Sequence, residues 1–247
     1  MNELADTLPW LIAGVLVIAV LYSSVGHAGA SGYIAVMSLL AVAPATIKPV
    51  ALMLNVAVAL IGTTQFYRAG HFRWPLFWPF AVVAVPAAAL GGYLQLPAET
   101  FKLLVGLALL LSAANLLLRA PADGPTQAPP LFVALAVGGV LGLLAGLTGT
   151  GGGIYLTPLM LFLRWAPMRQ VAAVSAPFIL LNSASGLAGH LMAGKIVPAL
   201  TWPLLSAVVV GGALGATLGA LYLPVPVIKR VLALVLLIAA VKLLGLI

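Results

Sequence analysis

Two stretches of this sequence lack charged residues for about twice the length that one membrane-spanning helix requires. Residues 7–47 and 124–163 contain no Asp, Glu, Lys or Arg. As continuous helix each would reach about 60 Å, against about 30 Å for the hydrocarbon core of a bilayer. Each of them must therefore turn back within or across the membrane. Shorter charge-free stretches, each read as one helix, lie at residues 49–67, 74–98, 103–118, 170–194, 196–228 and 231–241.

The composition limits the class of protein. Hydrophobic residues make up 64% of the 247 residues and charged residues only 6%, whereas soluble globular domains are roughly 25% charged. These values exclude a water-soluble monomer and a disordered chain. The net charge of +7 comes without a basic run longer than Lys229–Arg230, which argues against a nucleic-acid partner. We expect an all-α, polytopic integral membrane protein surrounded by the lipid bilayer.

A glycine-rich break lies near the middle of each long charge-free stretch. The first spans residues 23–32 (SSVGHAGASG) and the second spans residues 146–153 (GLTGTGGG). Glycine at this density disfavours continuous helix. We therefore expect each stretch to form a hairpin of two short helical arms joined by an unwound tip. Irregular backbone at membrane depth is tolerated only where protein or a water-filled cavity covers it.

The order of the charge-free stretches is repeated along the chain. Glycine, proline and lysine positions recur at an offset of 123 to 127 residues, as Gly26 and Gly149 do. This pattern predicts two repeats, each with a glycine-rich broken-helix hairpin and three transmembrane helices. The predicted units are a first transmembrane repeat at residues 1–119, a Pro-rich linker loop at 120–130 and a second transmembrane repeat at 131–247.

The distribution of positive charge favours inverted repeats. If each long stretch is a hairpin that returns to its own side, seven Lys and Arg residues share one face of the membrane and four share the other. Eight simple crossings would instead divide these residues six to five, which favours neither orientation of the chain in the membrane. Because Lys and Arg concentrate in cytoplasmic loops, we expect inverted repeats in the inner (cytoplasmic) membrane, with both termini outside. Inverted repeats with broken helices at the bilayer midplane recur among transporters.

The second tip has the chemistry of an anion site. Free N–H groups and the positive dipole end make a helix N-terminus attractive to anions, and glycines let the backbone approach a ligand closely. Thr148 and Thr150 can add hydroxyl donors to the amides of residues 149–153. The alternative is close helix packing through small residues, which needs no ligand.

Histidine and asparagine side chains are further candidates. His27, in the first tip, donates a hydrogen bond when neutral and adds positive charge when protonated; the alternative is a neutral packing histidine. Asn55 and Asn182 each place an amide in apolar surroundings that must find a partner, either across a helix interface or along an anion path. The candidate substrate-binding residues are Ser24, Gly26, His27, Ala28, Gly29, Ser31, Asn55, Thr148, Gly149, Thr150, Gly151, Gly152, Gly153 and Asn182.

Groups that other functions require are missing from the sequence. No Asp or Glu lies in the middle of a long hydrophobic stretch, and there is no cysteine. No catalytic triad, paired-carboxylate site or histidine metal cluster can be recognised. We therefore expect neither an enzyme nor a metal or cofactor, and no carboxylate proton relay.

The run Gly142–Pro158 (GLLAGLTGTGGGIYLTP) resembles the signature of the TauE/SafE sulfite exporter family. Gly26–Gly32 is similar to a degraded copy of it, with Ala28 and Ala30 where a full glycine run is expected. The resemblance covers essentially the whole chain and implies a transporter of sulfite, sulfonates or other sulfur oxyanions across the bacterial cytoplasmic membrane. The substrate would then be a small anion. An anion channel, an importer or a non-transporting membrane scaffold remain alternatives, and the oligomeric state stays open, including a homo-oligomer.

Overall fold

The structure, a computed structural model, describes residues 2–24, 28–118, 126–221 and 225–246. Within these ranges the chain forms α-helices joined by loops, with no strand, which confirms the predicted all-α class. The helices are α1 (Asn2–Ser24), α2 (Ala30–Leu39), α3 (Pro44–Arg68), α4 (Trp74–Tyr93), α5 (Ala98–Leu118), α6 (Leu131–Thr148), α7 (Gly153–Phe162), α8 (Met168–Met192), α9 (Thr201–Leu221) and α10 (Val225–Leu243).

Several helices have the length and the apolar composition that crossing a membrane requires. Among the described residues, α3, α4, α5, α6 and α8 meet both conditions. In contrast, α2 and α7 have 10 residues each and reach about 15 Å, half of the hydrocarbon core. Large apolar side chains such as Phe132 and Leu90 are exposed, as a lipid-facing surface requires. The protein is therefore a polytopic membrane protein, as its composition predicts.

The glycine-rich tips end one helix and begin the next. α6 ends at Thr148, where Gly149 takes a φ of 80°, and α7 begins directly after Gly152, which has a φ of 82°. Glycine adopts this left-handed region at little steric cost. In the first hairpin α2 follows Gly29, with a φ of 92°, while residues 25–27 of that tip lie outside the described ranges.

The first arm of each hairpin is longer than the sequence predicts. α1 has 23 residues and α6 has 18, whereas only the second arms, α2 and α7, are short. Each long arm packs along a full helix from the other half of the chain, α6 along α4 and α1 along α9. These long-range contacts support the extra helical turns, and no local sequence pattern reveals them.

Backbone contacts at glycines join each long arm to its partner helix. A Cβ atom at Gly142 would overlap the backbone of Ala84 in α4, and one at Gly215 would overlap the backbone of Val20 in α1. Small residues allow this close approach, on which helix association in lipid depends. The glycines that make such contacts in these two helix pairs are Gly91 of α4, Gly138, Gly142 and Gly146 of α6, and Gly211 and Gly215 of α9.

α3 and α8 cross in opposite directions between the two hairpins. Asn55 of α3 lies opposite Ser183 of α8, and further along α3, Gly62 lies opposite Ala176. Equivalent helices of an inverted duplication run antiparallel, so this pairing favours that arrangement. The duplication itself, its division at residues 120–130 and the side on which the termini lie stay predictions.

A buried lysine closes the C-terminal end of α4. Lys48, on α3, donates from Nζ to the carbonyls of Gly91, Gly92 and Leu94 at 2.8, 3.0 and 2.9 Å, and only 8% of its surface is exposed. All three ammonium protons are thereby used, at the helix end that attracts cations. Lys48 separates two charge-free stretches of the sequence, and the charge count therefore takes it as a loop residue. The structure instead places it inside α3, where its side chain bonds to the end of α4.

A second cation reaches the same end of α4. Lys195, in the loop after α8, donates to the carbonyl of Tyr93 at 3.1 Å. Desolvation lowers the pKa of the Lys195 ammonium below its usual value. The C-terminus of α4 is therefore held by two lysines, one from α3 and one from the loop after α8.

Replacing Lys48 by Met should destabilise the protein, because three carbonyls lose their common donor. We expect the free energy of unfolding to fall by at least about 2 kcal/mol, measured by thermal or denaturant unfolding in detergent. The matched control is Lys102→Met, which breaks only the 3.0 Å surface pair with Glu99 and should change stability by less than about 0.5 kcal/mol. Equal effects of the two substitutions would contradict the structural role of Lys48.

Replacing Gly92 by Ala should also destabilise the protein, because its Cβ would overlap the backbone of Gly186 in α8. We expect a loss of at least about 2 kcal/mol, since backbone on both sides must shift. The control is Gly62→Ala, where the nearest atom, the Cβ of Ala176, is 3.8 Å away. There the unfolding temperature should stay unchanged or rise, as Ala favours helix over Gly. An unaffected unfolding temperature in Gly92→Ala would show that α4 and α8 do not approach this closely.

Candidate functional site

The tip between α6 and α7 exposes a run of backbone amides. The last bond of α6 runs from the amide of Gly149 to the carbonyl of Ala145, and the first bonds of α7 run to the carbonyl of Gly152. Between them, the amides of residues 150–154 donate to no backbone carbonyl among the described residues. Such groups carry the positive end of the helix dipole of α7. Gly151, with a φ of 70°, is the second residue of this run.

Polar side chains from α3 and α8 meet this tip. Asn55 and Ser183 are fully buried, and Asn55 Nδ2 donates to Ser183 Oγ at 3.3 Å. A Cβ atom at Gly151 would lie 2.6 Å from both of these atoms, so only glycine fits here. Asn55 Oδ1 has no hydrogen-bond partner in the described part of the chain. The tip is therefore covered by polar groups rather than by lipid.

Asn182 is a second buried carboxamide beside the same tip. It lies one helical turn from Phe178, whose ring contacts Gly152, and one turn from Gly186, which contacts Gly146. Asn182 is fully buried, and neither Nδ2 nor Oδ1 finds a hydrogen-bond partner among the described residues. Burying an unpaired polar group costs about 1 to 3 kcal/mol. Two buried carboxamides with unpaired atoms therefore lie on α3 and α8, the helices whose side chains contact this tip.

The two threonines of the tip use their hydroxyls within the hairpin. Thr148 Oγ1 lies 2.6 Å from the carbonyl of Leu144 and 2.9 Å from Thr150 Oγ1, and both threonines are buried. The sequence analysis predicts that these hydroxyls donate hydrogen bonds to an anion. In the structure they support the turn from α6 into the tip.

The first tip has different surroundings. Ser31 Oγ and Tyr22 OH lie 2.7 Å apart, so Ser31 is engaged within its own hairpin, next to the left-handed Gly29. The hydroxyl of Tyr33 is buried against Gly29 and has no partner among the described residues. Ala28 is buried among apolar side chains. Of the residues predicted in this tip, Gly26, His27 and the side chain of Ser24 lie outside the described part.

A cavity of about 70 Å³ lies between the two hairpins, enough for a few waters or one small ion. Polar groups in its wall come from several helices, and Thr157 Oγ1 donates to Ser175 Oγ at 2.9 Å. Ile179 lines this cavity and also contacts Gly151, so one side chain separates the cavity from the second tip. Its wall includes Ser23, Ala28, Gln65, Thr157, Ser175 and Ile179.

The structure brings together part of the predicted set. Gly149–Gly153 form the second tip and Asn55 contacts it at Gly151, Asn182 lies on the adjacent helix α8, and Ala28 of the first tip borders the cavity. Sequence reasoning does not find Tyr33, or the backbone of Lys48 against Gly149. A lysine shortly after Pro44, in a chain with so few charges, is the signal that could have drawn attention to Lys48.

Comparisons with known proteins agree with this architecture. A family model described as sulfite exporter TauE/SafE matches residues 11–243. A probable membrane transporter protein, y4hK, of Sinorhizobium fredii (strain NBRC 101917 / NGR234) is 42% identical over 95% of this chain and 97% of its own length. Another, YunE of Bacillus subtilis (strain 168), is 26% identical over 57% of this chain and 58% of its own length. No solved structure matches the chain significantly. The chain belongs to the TauE/SafE sulfite exporter family of membrane transporters.

Proposed function

We propose that the protein exports a small sulfur-containing oxyanion, sulfite or an organosulfonate, across the cytoplasmic membrane. The observation that carries the proposal is the run of amides at residues 150–154, which have no backbone acceptor among the described residues and lie against the buried carboxamide of Asn55. Membership of a sulfite exporter family supports the choice of substrate class.

The anion would be held mainly by backbone. Amides of the second tip replace part of its hydration shell, and the positive end of α7 adds attraction. Asn182 Nδ2 and the hydroxyl of Ser183 are the side-chain donors next to that backbone. The glycines at 149 and 151–153 allow the anion to approach because they carry no side chains. On the opposite side, the first tip would add Ser24, Gly26, His27, Ala28, Gly29 and Ser31.

The cavity between the hairpins supplies the approach to this site. It extends along the α3–α8 interface as far as Gln65 and Phe66, near the end of α3. Its lining contains no Asp, Glu, Lys or Arg among the described residues. A small anion there would meet hydroxyls and a side-chain amide before it reaches the tip.

Export of an anion needs no coupling carboxylate. An anion leaving a negative interior gains about 2.3 kcal/mol per charge per 100 mV, and no Asp or Glu lies in the middle of a long hydrophobic stretch. We accordingly place the protein in the inner membrane with both termini outside, acting as a transporter and not as an enzyme.

The alternatives differ in what a flux experiment would record. A channel would conduct continuously, and unlabelled anion on the far side would not accelerate the movement of labelled anion. An importer would show the same chemistry with net flux inward. A membrane scaffold would fold normally and transport nothing.

Replacing Gly151 by Ala should abolish transport, because the new Cβ would collide with Asn55 and Ser183. We expect sulfite efflux from proteoliposomes to fall by more than about tenfold, since a displacement of about 1 Å at a site can cost a hundredfold. The matched control is Gly70→Ala, which has the same left-handed φ (73° against 70°) but nothing within 4 Å of the added Cβ. Both variants carry the same backbone strain. Equal efflux from the two would remove the second tip from the transport site.

An imposed membrane potential should change the rate of efflux. With the compartment that contains sulfite held negative, we expect faster efflux than at zero potential, because the field acts on the transported charge. The measurement is sulfite release from proteoliposomes with potassium and valinomycin setting the potential. Rates that ignore the potential and depend strictly on a proton gradient would refute the potential-driven mode.

A further inference from the structure

The charge around the second tip suits one negative charge better than two. Lys48, whose backbone contacts Gly149, gives all three of its ammonium protons to carbonyls of α4 and has none left for a ligand. The N-terminus of α7 contributes the equivalent of roughly half a positive charge. In a buried site of low polarity, a second negative charge without a partner would carry a large desolvation cost.

The side chains at this tip offer acceptors as well as donors. Asn55 Nδ2 is already used by Ser183, so the free atom of this carboxamide is Oδ1, an acceptor. Asn182 adds both a free donor and a free acceptor. An oxyanion without protons could satisfy only the donors. Its lone pairs would then lie against the Oδ1 atom of Asn55, which would stay unpaired.

We propose that the site selects the singly charged, O–H-bearing form of a small oxyanion, with Asn55 Oδ1 as the acceptor for that O–H group. For sulfite this form is hydrogensulfite. The remaining oxygens accept from the tip amides and from Asn182 Nδ2. This inference rests on the proposed function, and it adds that Asn55 determines which protonation form is bound.

The dimensions of the site support a compact ion. The cavity on the other side of Ile179 from the tip is about 70 Å³, which admits only a small ion on the way to the tip. A substrate that fits here has its charged oxygens and its O–H group on the same central atom. Large organic sulfonates have neither that size nor an O–H on sulfur at neutral pH.

The test compares hydrogensulfite with chlorate, which has the same pyramidal shape and single charge but no proton. Binding of each probe to the purified full-length protein is measured in mildly acidic buffer by calorimetry and by thermal shift, with sulfate as a dianion for comparison. We expect hydrogensulfite to bind at least about tenfold tighter than chlorate, because chlorate leaves a buried acceptor unpaired. Sulfate should bind more weakly than either monoanion. Equal affinities for chlorate and hydrogensulfite in the unmodified protein would overturn the inference, whatever the variants do.

Two variants assign the preference to a residue. Asn55→Leu removes the acceptor and should bring the affinities for hydrogensulfite and chlorate to within about twofold of each other, since the hydrogen bond that separates them is gone. Asn115→Leu is the matched control: its Oδ1 is also buried without a partner among the described residues, but it lies on α5 and lines neither the cavity nor the tip, so the preference should persist. A preference that survives in Asn55→Leu would overturn the role of Asn55. If none of the three anions binds the unmodified protein, the proposed function fails, and the selectivity inference fails with it.

Discussion

The requirement that backbone polar groups be satisfied inside the bilayer governs this structure. A helix satisfies its own amides and carbonyls, but the chain leaves the helical state at residues 149–152, between two apolar helices. Lipid cannot bond to the freed groups, so protein must enclose them or a ligand must meet them. At the second tip, Asn55 and Ser183 cover Gly151, and Phe178 and Ile179 cover the glycines that follow it. In the proposed function, the amides that this break leaves without a backbone partner are the groups that bind the anion.

Glycine has two separate roles in the molecule. In the tips it permits a left-handed backbone and leaves room for neighbouring polar side chains. Along α6 and α9 it brings backbones into contact, so that the long arms lie directly on α4 and α1. Lysine complements this packing at the helix ends: Lys48 and Lys195 bond to the end of α4, and Lys242 donates to the carbonyl of Leu39 at the end of α2, at 2.7 Å.

Local properties of the sequence predict much of the fold. The charge-free stretches predict where the helices lie, and the glycine-rich breaks predict where the tips lie. Both features depend only on residues that are close together in the sequence. The length of α1 and α6 could not be predicted in this way, since it depends on contacts with helices from the other half. The role of Lys48 is hidden for the same reason: its acceptors begin 43 residues further along the chain.

The candidate site is predictable in its composition but not in its arrangement. Asn55 and Asn182 could be recognised as amides in apolar surroundings that need partners. The contacts of Asn55 with Ser183 and Gly151 could not be predicted, because they join three segments that are distant in the sequence. The sequence shows the first tip as a degraded copy of the second, but not that Ala28 packs in an apolar cluster at the edge of the cavity while Gly151 contacts Asn55 and Ser183.

The packing of helices from one half of the chain against helices from the other half makes the two halves depend on each other for folding. α4 is covered by α6, and α1 is covered by α9, so the first half alone would expose α1 and α4, and the second half alone would expose the glycine-lined faces of α6 and α9. Two halves made as separate polypeptides would have to associate as an obligate pair before either could complete its packing. Covalent fusion of the halves guarantees that association at equal stoichiometry.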